Sequence, residues 1–248
     1  MTKSRFFAAT GALFLLVNGF AQTTTAVSHF DKVVVSPHIQ VTFVEGAEES
    51  VTIESTSISR DKINIEVKNR ALHLYLDSAR NTTRNKKVNE NGYEVKRPVY
   101  KGTVVVAVVT YKKLNELSLR GEETYVCKSP LSGDQFRLWI YGESNVVINE
   151  ANLDELTATM YGECNLEIKA GAVRGQKYIA YGESKVNSLG ITGRSGKLTA
   201  YGEADFKMNV SDDIKMVAFG GAKLQYKGNP RISKGLHFGE LHVDKIDD

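Results

Sequence analysis

The chain has 248 residues, 42% of them hydrophobic and 25% charged, with 21 glycines, 4 prolines and a formal net charge of +3. That length supports one large or two modest domains around a sizeable core, and many glycines with few prolines suit strands joined by tight turns. So small a positive charge excludes the strong basic field that holds nucleic acid.

The first residues read as a targeting segment. Lys3 and Arg5 give a positive start, Phe6 to Val17 form an apolar run, and Gly19-Phe20-Ala21 ends in a small residue. This is the pattern of a cleaved secretory signal over residues 1–21, with the mature chain starting at or near Gln22. A membrane anchor is the alternative, but a bilayer span needs about 20 apolar residues. No later run is long enough either, so no transmembrane segment is expected in the mature chain. Without Lys3 and Arg5 its net charge falls near +1. The expected location is the periplasm, the outer-membrane surface or the exterior.

Residues 22–111 alternate in the manner of strands. The apolar sets are Val33 and Val35, Val41 and Phe43, Val51 and Ile53, then Ile63, Ile65 and Val67. Leu72, Leu74 and Leu76 follow, and Val104, Val106 and Val108 make the last set. Turn signals at Ser36-Pro37, Glu45-Gly46 and Asn69-Arg70 separate them. The pattern breaks at 78–101, where seven basic residues accompany only Glu90 and Glu94. This basic loop reads as an exposed excursion or a hairpin arm. A contact with an anionic polymer or a lipid headgroup is the functional alternative to simple solvation.

From residue 112 to 248 the dominant signal is a repeat. Tyr141-Gly142-Glu143 recurs as Tyr161-Gly162-Glu163, Tyr181-Gly182-Glu183 and Tyr201-Gly202-Glu203. Weaker copies stand at Arg120-Gly121-Glu122, Phe219-Gly220-Gly221 and Phe238-Gly239-Glu240. The glycine separations are 21, 20, 20, 20, 18 and 19. Around each glycine the even offsets are apolar or small (Ile140, Ser144, Val146 and Ile148 in one copy), so they share one face of a strand. The odd offsets carry Glu, Asn, Lys and Asp and face water. A unit of about 20 residues cannot close a core alone, but stacked units can. The leucine-rich consensus is absent, and a propeller blade needs about 40 residues. The expected fold is therefore all-β: a right-handed parallel β-helix, or β-solenoid, with coils of about 20 residues. The strand region at 22–111 continues into it. The hand follows the general preference of parallel crossovers.

Several segments together resemble a known family. Phe30-Asp31-Lys32-Val33-Val34-Val35 opens the resemblance, and the strand pair Ile39–Phe43 and Val51–Glu54 follows. Leu72-His73-Leu74-Tyr75-Leu76 and the serial glycine turns complete it as far as Val243. The chain is similar to the bacterial putative auto-transporter adhesin family, also called the head GIN domain family. The resemblance implies an exported β-helix, with no catalytic residues established for the family. Its turns often read Ser-Gly-Ser-Gly, where this chain has Tyr-Gly-Glu.

Two ladders are the candidate interaction surface. Glu143, Glu163, Glu183 and Glu203 should stack at roughly the 5 Å separation of a retaining glycosidase pair. A catalytic pair needs two different environments, and four equivalent glutamates offer none. A solvated ladder or weak cation binding are the other readings. Tyr141, Tyr161, Tyr181 and Tyr201, continued by Phe219 and Phe238, are either a strip for sugar rings or a partner, or a stack that holds register. The histidines show no metal-ligand spacing, and no nucleotide or hydrolase motif occurs. No cofactor or metal is expected. Cys127 and Cys164 fall on inward positions two coils apart and should remain unpaired thiols.

The expected function is a non-enzymatic, adhesin-like interaction module whose partner is a glycan or a cell-surface protein. A carbohydrate-active β-helix enzyme and a purely structural envelope protein are the alternatives.

Overall fold

The computed structural model describes residues 23–246. The expected signal, residues 1–21, lies outside the described residues. Within them the chain is all-β, relieved only by one 3-10 turn at Arg60–Lys62. Among the described residues no helix is long and apolar enough to cross a membrane.

The repeats form a β-solenoid. Leu131–Gly142 pairs in parallel with Ala151–Gly162, each residue against the one twenty places later. Ala151–Gly162 pairs in the same way with the start of Gly171–Phe219, an unbroken extended segment of 49 residues wound through successive coils. The shift shortens to 18 at Ala204↔Ala222 and lengthens to 19 at Ala222↔Leu241, following the glycine spacing.

Each coil turns at its glycine for two physical reasons. The corner glycines from Gly121 to Gly239 have φ between +95° and +130°, which L side chains rarely adopt. A Cβ on Gly162 would also lie 2.3 Å from the Gly142 carbonyl oxygen. The next inward residue is small because it sits inside that bend. Ser144 donates its hydroxyl to the Gly121 carbonyl at 2.9 Å, and Ser184 to that of Gly162 at 3.4 Å. Cys164 holds the equivalent place, its thiol 3.5 Å from the Gly142 carbonyl.

The interior is filled by columns of side chains that exchange volume. One column runs Ile140, Met160, Ala180, Ala200 and Ala218, all fully buried. As it thins, its neighbours widen: Ala158 gives way to Tyr178 and Val186 to Phe206, which also stack on each other at 6.5 Å. Constant total volume keeps the core at close packing without constant residues.

The amino-terminal part is built differently. Lys32–Val35 and Ile39–Glu45 form a coil paired in parallel below with Glu116–Gly121 and Thr124–Cys127. Above, the same strands pair with Ala71–Leu76 and Val105–Tyr111. The chain therefore visits the second layer, then the first, then the third. Antiparallel strands close the end: Ile63–Lys68 lies on Ala71–Leu76, Ser50–Thr56 lies on Val105–Tyr111, and Thr23–Ala26 lies on the other edge of Ser50–Thr56. These strands cover a layer that would otherwise present open edges. One sequence expectation shifts here. Val105, Ala107 and Val109 are fully buried, whereas Val104, Val106 and Val108 are half-buried. Both parities of this run are apolar, so only pairing with its neighbours fixes the inward face.

The basic segment at 78–101 contains a hairpin, Asn85–Glu90 with Tyr93–Pro98, paired only with itself. Asn91 and Gly92, at φ +53° and +84°, make the tight turn. Lys87 pairs with Glu94 and Arg97 with Glu90 across its strands.

Candidate functional site

The Tyr-Gly-Glu corner places three columns side by side along the solenoid. The tyrosine column is a stack. Ring centroids from Tyr141 to Phe219 are 4.8 to 5.2 Å apart, with planes within 4° of parallel. Phe238 ends it at 5.8 Å and 25°. The coil rise of about 4.8 Å sets this spacing. Tyr161, Tyr181 and Tyr201 remain 37–42% exposed. What they expose is ring edges and hydroxyls, because their faces are spent on one another. Within the stack these three tyrosines therefore offer no open face for a sugar ring, and their mutual stacking suits the holding of register; Phe238, 62% exposed at the lower end, has a ring on one side alone.

On the other side of the glycines, Glu143, Glu163, Glu183 and Glu203 are all exposed on consecutive coils. Three of them line a groove of about 470 Å³ together with Asn165, Lys185, Asp205 and Lys223. Glu240 and His242 close its lower end. Five carboxylates face two ammonium groups there, so the groove is acidic. The glutamates occupy equivalent positions, and equivalence withholds the acid–base asymmetry that catalysis requires. Among the described residues no three His, Cys, Asp or Glu side chains converge as a metal site.

Irregularity is found one coil earlier. Glu123 takes the inward place that Ser144 and Cys164 hold below it and is 4% exposed. Its carboxylate accepts the Glu122 amide at 3.0 Å. Burial raises its pKa, and hydrogen bonds from the Glu122 and His38 backbones oppose that rise. The layer above turns through Pro37, which has no N–H, and through His38 at φ +72°. Glu123 thus receives amides left over where the glycine corners begin. The even offset from Gly121 marks position 123 as inward, but the sequence gives no sign of the backbone amides that a carboxylate meets there.

The cysteines are both buried and unpaired. Cys127 stacks between Phe43 and Ile148, and Cys164 next to Ser184. Burial pushes the Cys127 thiol up to about 12 and that of Cys164 to about 11.

A parallel β-solenoid with a glycine corner and a stacked aromatic column defines a class of repeat fold that presents its side chains in regular columns. Within that class the chain belongs to the family described as putative auto-transporter adhesin, head GIN domain, whose model matches residues 29–230. Its fold is that of a putative adhesin from Bacteroides fragilis (TM-score 0.74, 16% identity, 91% of this chain and 96% of that one). A putative adhesin from Parabacteroides merdae is similar at TM-score 0.65 and 16% identity, covering 92% and 96%. A protein from Parabacteroides distasonis described as a putative lipid binding protein is similar at 0.64 and 18%, also covering 92% and 96%. At such identities these likenesses establish the fold alone. No curated protein matches the chain.

Proposed function

We propose that this protein is an exported, non-catalytic interaction module of the adhesin kind, at the cell surface or in the periplasm. Its contact face is the acidic groove beside the Tyr-Gly-Glu corner, and its partner is a glycan chain. The observation that carries the reading is the regular row of exposed glutamates along an open groove. Such a row offers hydrogen-bond acceptors at a fixed pitch to the hydroxyls of an extended polymer. The aromatic column, its faces already paired, serves as the rigid wall that holds the pitch. Family membership and the pattern of residues 1–21 support export.

A glycan array with the purified protein tests this. Binding to a defined set of glycans, lost in the triple variant Glu163→Gln, Glu183→Gln, Glu203→Gln, is the expected outcome. Binding that survives the triple change moves the contact elsewhere. An empty array overturns the glycan reading in favour of a surface protein. Cleavage of any bound glycan, abolished by Glu163→Gln, would overturn the non-catalytic reading.

A further inference from the structure

The aromatic column has a missing rung. Above Tyr141 the next residue in register is Arg120. Val35, in the layer above, pairs with both Leu119 and Leu74. The residues following these three, Ser36, Arg120 and Tyr75, therefore continue the column. Reading upwards, it runs Tyr141, Arg120, Ser36, Tyr75. Ser36 is too small to fill its place, and a pocket of about 260 Å³ opens there. Its walls include Ser36, His73, Tyr75, Arg80, Asn81 and Arg120.

Both arginines are held in position by rings. The Arg120 guanidinium lies 5.1 Å from the Tyr141 ring centroid, and that of Arg80 lies 4.5 Å from that of Tyr75. Among the described residues neither takes part in an ion pair with a carboxylate. Arg120 reaches the Asn81 side-chain oxygen at 3.5 Å. The Ser36 hydroxyl donates to the Arg80 carbonyl and anchors that turn. His73 lines the same pocket. Burial lowers its pKa most, and Arg80, Arg120 and Lys68 lower it further against the opposing pull of Glu66.

We propose that this missing rung is a binding site for a doubly charged oxyanion of the phosphate class, held between the guanidinium groups of Arg80 and Arg120. Two permanent charges match a dianion, and two planar forks suit its several oxygens. The amide of Asn81 and the imidazole of His73 supply further donors at the pocket wall. The site lies in the layers at the amino-terminal end of the column, apart from the acidic groove and of opposite charge. It stands or falls independently of the glycan reading.

The test follows the His73 imidazole by NMR in the whole protein. Inorganic phosphate should raise the His73 midpoint in a saturable way that chloride at equal ionic strength does not reproduce. Arg80→Gln and Arg120→Gln should each weaken the response about tenfold, the loss of a charge-assisted contact. Arg120→Lys keeps the charge and separates loss of the fork from any disturbance of the stack, and should weaken binding less than Arg120→Gln. Glycerol phosphate and vesicles containing phosphatidic acid distinguish a free ion from an ester or a headgroup. A response equal to that of chloride, or one left intact in the Arg80→Gln, Arg120→Gln double variant, overturns the proposal. So does binding to vesicles alone, which would place the contact on the exposed lysines of the hairpin.

Discussion

The repeat coils and the amino-terminal layers have the same strand pairing but reach it by different means. In the coils from Leu131 onward the strands pair with residues about twenty places away, so a single pattern of glycine, small residue and apolar column is copied down the stack. In the layers above, Lys32–Val35 must find Glu116–Leu119 across more than eighty residues, and antiparallel strands close the end. Copying gives a surface of identical rungs. The unique layers supply the exceptions: a buried carboxylate, a self-paired hairpin and a gap in the aromatic column. The difference teaches that regularity builds the extended face, while the departures from it create single, distinguishable sites.

Changes inside the repeat should cost most. Phe206→Ala removes a large side chain that is 1% exposed and should lower unfolding free energy by about 3–5 kcal/mol, read from urea midpoints. A loss below about 1 kcal/mol would mean that the columns can collapse around the gap, and that the coils are less rigid than their register suggests.

Glycine substitutions then separate backbone strain from ladder contact. Gly162→Ala meets the Gly142 carbonyl at 2.3 Å as well as an unfavourable φ of +112°, whereas Gly92→Ala in the hairpin has φ +84° and open space. The first should cost about 2–4 kcal/mol and the second about 1 kcal/mol. Equal costs would show that φ alone matters and that the close stacking of corners does not.

The thiols give a sharper check on register. Neither Cys127 nor Cys164 should react with a thiol reagent in the folded protein at neutral pH, and both should react after denaturation without reductant. Their pKa values are raised in the fold, so their contribution to stability is complete below the ordinary cysteine value of 9.0 and is lost as pH climbs from there towards about 12. Urea midpoints of the wild type should therefore fall more steeply over that range than those of Cys127→Val. Parallel slopes would remove Cys127 from the buried column.

The smallest effect belongs to the hairpin. Glu90→Gln breaks an ion pair with Arg97 that is exposed on both sides, and the urea midpoint should not move measurably. A clear shift would tie the hairpin to the stability of the layers beneath it.

How much of this was legible depends on repetition. The inward identity of Ser144, Cys164 and Ser184 and the line of glycines follow from the sequence because each is restated at every coil. The stacking order of the first layers does not, since each pairing there occurs once and joins distant segments. The inward parity of Val105, Ala107 and Val109 is hidden because Val106 and Val108 are equally apolar. Gln176 is another such case. It sits 2% exposed among apolar columns and is reached by the hydroxyls of Tyr178 and Ser188 at 3.0 Å each. A lone glutamine at an inward offset gives no sign of partners that lie two and twelve residues away. In the candidate face, the alternation placed the glutamates outward. The missing rung needed Ser36, Tyr75 and Arg120 brought together by pairing.

The constant offset between coils also makes length a stepwise variable. Cutting out residues 171–190 would bring residue 170 to residue 191, leave each glycine above a glycine, and set Tyr161 directly against Tyr201. Removing ten residues instead would turn every downstream side chain to a different part of the circumference. Whole coils are thus the unit in which the length of the stack can change without loss of register, although a coil-specific contact such as Tyr178 on Phe206 leaves with its coil.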